Sequence, residues 1–208
     1  MYTAFNRSNF QQEIFELYHD LITFGTAAMF IEEDEEDFIK FSTRHIDEVY
    51  IAENDKGRID TIYRRFNLSA RAVVQKFGTA VSQDILVLEK KDPYKEVEIV
   101  HAVYPRADFN PAKKDKKNMP FESVYMEYKN GNELSVSGFK EFPFVVPRYL
   151  KASHEIYGRS PAMTALPDVK MLNEMVKTTI KAAQKQVDPP LLVPDDGFLL
   201  PVRTVPGG

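Results

Sequence analysis

Four lysines recur at helical spacing in one segment: Lys170, Lys177, Lys181 and Lys185. At 100° per residue they fall along one side of a helix. A row of ammonium groups suits diffuse attraction to the phosphates of a polyanion. It equally suits the solvated face of an ordinary amphipathic helix. A second cationic group, Lys113, Lys114, Lys116 and Lys117, crowds a polar stretch that reads as an exposed loop. It too can touch phosphate or simply face water. Gly158-Arg159-Ser160, ahead of a helix, offers either an anion site at the N-terminus or a plain cap.

Catalytic and metal chemistry find no comparable pattern. His19, His45, His101 and His154 are isolated, with no His or carboxylate at i+3 or i+4 to make a helical metal pair. His101 sits within a strand pattern and reads as a packed, hydrogen-bonded residue. The acidic run Glu32 to Asp37 lacks the glycine and alternating spacing of a calcium loop and reads as a solvated turn. No serine elbow, phosphate-binding Gly-Lys-Ser/Thr loop or dinucleotide fingerprint is present. A hydrolase using Asp60 and His101 stands as an alternative without a motif, and a monomeric nucleic-acid-binding module as another. No catalytic, cofactor-binding or metal-ligating residue is assigned.

The segment that positions the four lysines is sharply punctuated. Ser160 can cap a helix whose first position is Pro161, where a missing N–H costs nothing. Pro167 can restart the regular helix, with Asp168 in its first turn, and Asp188-Pro189-Pro190 stops it. From Asp168 to Val187 such a helix is about 30 Å long. Its other side carries Leu172, Val176, Thr179, Ala183 and Val187, flanked by Val169, Met175 and Ile180. The small residues Thr179 and Ala183 permit close approach of a neighbour, so this stripe is the candidate packing face.

Upstream the chain alternates strand and short-helix patterns. Ser8 to Thr23 reads as a helix closed by Gly25, with Phe10, Ile14, Leu17, Leu21 and Phe24 inward. Strands are expected over 27–32, 38–43, 48–52, 59–66, 97–104, 121–128, 133–139 and 142–149. Turns fall at Asn54-Asp55-Lys56-Gly57 and Asn130-Gly131. A short helix is expected from Ser69 to Phe77, with Ala72, Val73 and Phe77 inward, and a second short helix, with a strand as the alternative, from Val81 to Glu89. Pro143 and Pro147 place the last strand at an edge. After Pro190, Leu191-Leu192-Val193 and the turn at 194–197 begin a further small β element. The fold class is α+β: a β-rich body with short helices, one long helix, then the start of a small β element.

Composition narrows the function classes. The hydrophobic fraction of 43% argues for a packed core, and the net charge of −4 confines any nucleic-acid contact to a local patch. The absence of cysteine removes thiolate chemistry and disulfides. No apolar run is long enough to span a bilayer, and the N-terminus lacks a secretory pattern. The 15 Phe and 10 Tyr fall mostly on inward strand positions, as core rather than base-stacking platforms. The turn at Thr204 to Gly208, with nothing after it, reads as a cut in a longer polypeptide.

Several runs resemble the head-to-tail connector, or portal, proteins of T7-like short-tailed phages. They are FGTAAMF (24–30), GRIDTIYRRFNLSARAVVQKFG (57–78), VEIVHAVYPRAD (97–108), KNMPFESVYMEY (117–128), SGFKEFPFVVPRY (137–149) and the long segment 157–197. The resemblance implies a non-enzymatic structural subunit of a ring at one capsid vertex of the virion, assembled in the host cytoplasm. Such rings typically hold about twelve copies. Double-stranded DNA passes through the channel without sequence reading, a terminase motor drives it, and capsid and tail adaptor proteins attach. Residues 1–156 would correspond to the wing, 157–188 to a stem helix and 189–208 to the beginning of the clip. No cofactor is implied. Lys170, Lys177, Lys181 and Lys185 become candidates for the channel wall.

Overall fold

The computed structural model describes residues 2–34, 38–111, 115 and 118–187. It divides into two units, Met1–Pro161 and Ala162–Gly208. The first is an α+β body. Helix α1 (Tyr2–Arg7) leads into α2 (Phe10–Phe24). The sequence predicts a single helix from Ser8, but Ser8 lies between two helices, its hydroxyl donating to Phe5 O and accepting from Phe10 N–H. Gly25 closes α2 at φ 81°, its N–H donating to Leu21 O.

Two antiparallel sheets follow. In the smaller, β1 (Ala28–Asp34) lies between β2 (Phe38–Arg44) and β8 (Phe144–Val145). Glu32, Glu33 and Asp34, read as turn, continue β1 and pair with Lys40, Ile39 and Phe38. Residues 35–37 of that acidic run lie outside the described residues. The strand expected over 142–149 contracts to Phe144-Val145. Prolines have no N–H to give, so Pro143 and Pro147 contribute carbonyls, which accept from Ile31 of β1 and from Ala27 just before it.

The larger sheet has the order β3-β4-β5-β6-β7: Val49–Glu53, Ile59–Ser69, Glu96–Pro105, Phe121–Glu127 and Glu133–Phe139. Its hairpin turns fall where the Asn/Asp/Gly clusters place them. The loop lysines 113, 114, 116 and 117 lie outside the described residues. Between β4 and β5, α3 (Ala70–Phe77) starts at Ser69, whose hydroxyl accepts from Ala72 N–H, and α4 (Gln83–Lys91) follows. Ala70 and Val73 are the buried residues of α3.

Strand alternation sorts the core into layers. Ala28 and Phe30 of β1 face Val49, Ile51, Ile62 and Val103 of the larger sheet. Met29 and Phe41 face the other way, onto Leu17 of α2. Farther along, Phe66 and Ile99 pack on Val73 and Ile85 of α3 and α4. The body is thus a stack: helix α2, the three-stranded sheet, then the five-stranded sheet, whose second face points away from these contacts.

The second unit consists, in its described part, of helix α5 (Pro161–Val187), which begins at the last residue of the first. At 27 residues it is about 40 Å long. Pro167 lies inside it and does not begin a new helix. Its fixed φ suits a helix, so the cost is limited to one lost ladder bond and local crowding. The proline stop and the small β element, residues 188–208, lie outside the described residues.

Candidate channel helix and its base

No residue of α5 is buried in this chain. Leu172, Val176 and Val187 are 59%, 50% and 65% exposed, and Thr179 and Ala183 are also exposed. Such a face leaves large apolar area in water. Its one polar member is already satisfied, because the Thr179 hydroxyl donates to Met175 O at 2.9 Å. That back-bond leaves the methyl group to the stripe.

Lys170, Lys177, Lys181 and Lys185 are all exposed. They are not equivalent. Lys177 pairs with Glu174 at 2.9 Å, three residues back on the same face. This pair cancels one charge. Lys170, Lys181 and Lys185 therefore dominate the field of that side.

The helix grows from a base the sequence does not announce. Gly158 N–H donates to Thr26 Oγ1 at 2.7 Å, and the Ser160 hydroxyl, expected to serve as N-cap, donates to Thr23 O at 2.8 Å. Arg159 N–H bonds Leu150 O, and Tyr149 N–H bonds Gly25 O. Gly25 and Gly158 cross so closely that a Cβ on Gly25 would lie 2.6 Å from Gly158 O, and one on Gly158 2.3 Å from Gly25 O. The two glycines belong to FGT and YGR, runs more than a hundred residues apart. A signal existed in each Gly having a small hydroxyl residue within two positions, Thr26 after Gly25 and Ser160 two after Gly158, but spacing alone cannot say that they meet.

Two further groups complete the base. The Tyr157 hydroxyl accepts from Ile51 N–H at 3.2 Å and donates to Val49 O at 3.5 Å, on the outer edge of β3. Arg148 pairs with Glu53 and also donates to Ile156 O and Gly57 O, while Lys151 reaches Glu53 at 2.6 Å. Bonds from Lys151 and then Arg148 hold the Glu53 carboxyl below its ordinary range.

The groups that might carry catalysis are not assembled. His101 is buried, its Nε2 2.9 Å from Ser123 Oγ and its ring stacked 3.9 Å from that of Tyr125. Burial, reinforced by Arg64, Lys76 and Arg44, pushes its imidazole down from 6.5 to about 3. Burial, then Glu32, pushes Tyr125 up to about 12. Asp60 is not beside His101. In the ladder His101 faces Arg64, and Asp60 bonds Thr61. The Asp60–His101 hydrolase thus finds no support. Among the described residues no group of three or more His, Asp or Glu is arranged to hold a metal, and no helix is long and apolar enough to cross a membrane.

These features define a class: an α+β body that hands the chain to a long amphipathic helix whose apolar side is exposed among the described residues. The chain belongs to the bacteriophage head to tail connecting protein family, matched over residues 1–208. It is 34% identical over 212 residues to the portal protein of Salmonella phage epsilon15, with all of this chain and 38% of that protein aligned. It is 32% identical over the same length to the probable portal protein of Bordetella phage BPP-1, again with 38% of that protein aligned. The chain thus spans 38% of the length of these relatives.

Proposed function

We propose that this chain is the wing and stem portion of a portal subunit, which assembles with copies of itself into a ring around a DNA channel at the capsid vertex. Residues 1–156 form the wing, 157–188 the stem helix and 189–208 the beginning of the clip. The observation that carries the reading is α5, whose apolar stripe has no cover within the described chain and whose opposite side is cationic. In a ring of about twelve copies each stripe packs on a neighbour. Leu172, Val176, Thr179, Ala183 and Val187 form that contact.

The opposite side then faces the channel. DNA that must slide needs attraction to phosphate without base reading, because a tight, specific contact would hold it in place. Exposed ammonium groups on flexible stems supply that. Terminase, capsid and tail adaptor proteins complete the vertex in the virion.

The test uses the full-length protein. Lys170, Lys181 and Lys185 changed together to Gln should leave rings intact by electron microscopy but reduce packaged DNA retained by the particle. Lys177→Gln alone, which removes one charge rather than three, should have the smaller effect. Intact triple-variant rings that retain DNA normally would overturn the channel assignment.

A further inference from the structure

The body exposes apolar side chains on two separate surfaces. On α2, Phe15, Tyr18 and Ile22 follow at i, i+3 and i+7 and are 76%, 54% and 55% exposed. They point away from the side on which Leu17 packs against Met29 and Phe41. On the far side of the stack, the outer face of the five-stranded sheet carries Tyr50, Tyr63 and Tyr128, which are 54%, 46% and 52% exposed. Tyr50 and Tyr63 are cross-strand neighbours, and Arg65, on the same face, lies 4.2 Å over the Tyr128 ring.

Scattered exposed apolar residues are ordinary, but exposed aromatics are enriched at protein contacts; on the sheet Tyr50 and Tyr63 form a pair, and Tyr128 lies two strands away beyond the Arg65–Glu98 ion pair. Their placement specifies the contact further. A two-fold pairing uses one self-complementary patch. A head-to-tail pairing uses two different patches on opposite sides, and closes into a ring when the rotation permits. The order of layers gives the body the second arrangement. Rigid aromatics on a helix and on a sheet also lose little entropy on docking, and such residues dominate contact energies.

We infer that the Phe15–Tyr18–Ile22 stripe of one copy docks on the Tyr50–Tyr63–Tyr128 face of the next copy. This rests on the ring reading above and adds to it a contact between bodies, distinct from the contact between long helices.

The chain has no cysteine, which makes the contact directly testable. Full-length protein, freed of any other reactive cysteine, would carry Ile22→Cys with Tyr63→Cys, or Phe15→Cys with Tyr50→Cys. After assembly and mild oxidation, at least one pair should give a ladder of covalent oligomers up to the ring, and each single variant should give none. Intact rings in which neither pair cross-links would overturn the inference. So would dimers from Ile22→Cys alone, which would show like faces meeting. If the unmodified protein forms no ring on sedimentation, the ring reading itself falls, and the two failures are thereby told apart. A second variant, Phe15→Ser, should lower ring yield at fixed concentration about tenfold without changing the melting of the subunit, as expected for a central contact residue. An unchanged yield would count against the contact.

Discussion

Replacing Gly25 by Ala tests the base of the long helix at its tightest point. Gly25 sits at φ 81°, where an L side chain costs about 1–2 kcal/mol. Its new Cβ would lie 2.5 Å from Arg159 C and 2.6 Å from both Gly158 O and Ser160 N, all backbone atoms. That backbone is held by Thr26 and Leu150, so it yields only by losing those bonds. Displacement of this kind costs about 1–3 kcal/mol. Reduced freedom of the unfolded chain returns about 0.4–1 kcal/mol. The net loss is therefore about 2–4 kcal/mol. Gly131 provides the control, since it has φ 65° and nothing within 4 Å of its would-be Cβ. Gly131→Ala bears only the conformational cost, about 1 kcal/mol after the same offset. In a chain of this size each kcal/mol shifts the melting temperature by about 2–4 °C. Thermal unfolding by circular dichroism should then place Gly25→Ala about 4–16 °C below the parent, and Gly131→Ala within about 4 °C of it. If the two variants melted together, the crossing of the two glycine segments would not be the constraint described.

Two further outcomes follow from buried polar groups. Glu127 is almost fully buried, and its carboxylate accepts from Ser82 N–H at 2.9 Å and from the Asn132 amide at 3.2 Å. Both of these end on Oε1, while the Asn130 amide donates to Oε2 at 3.4 Å, so Glu127→Gln turns an NH2 group against the Asn130 amide and removes the charge, and should cost about 1–3 kcal/mol of unfolding free energy in a denaturant titration. Because the His101 pKa is depressed in the fold, the unfolded chain binds the extra proton first. Its contribution is complete above 6.5 and is lost as pH falls toward about 3. In that window the parent should lose up to about 1.4 kcal/mol per pH unit more than His101→Gln. Parallel stability curves for the two would refute this.

Local signals carried much of the body. Asn54 to Gly57 and Asn130-Gly131 marked hairpins because their chemistry is confined to the turn itself. Ser69 opened α3 for a similarly local reason, a hydroxyl aimed at a free N–H. What escaped was set by tertiary contact. Pro143 and Pro147 sit in an extended run that reads as a full strand, yet only Phe144-Val145 completes a ladder, since a neighbour cannot bond an N–H that is missing. Pro167 reads as a boundary from its own preferences, but flanking helix-forming residues carry α5 through it. On α2 the inward residues Ile14, Leu17 and Leu21 are plain from spacing, whereas Phe15, Tyr18 and Ile22 look like surplus until the layers show which surface they occupy. The four lysines of α5 looked alike in one dimension, and only side-chain geometry separates Lys177 from the rest. The meeting of Gly25 with Gly158 lies wholly beyond local pattern.

The phenol of Tyr157 has a consequence for solubility as well as for architecture. By satisfying one acceptor and one donor on Val49 and Ile51, it occupies the place a parallel strand would take on the free margin of the larger sheet. Foreign backbone meets two fewer open groups on this margin. The same phenol that fixes the segment ahead of α5 therefore also blunts the β3 side of the sheet.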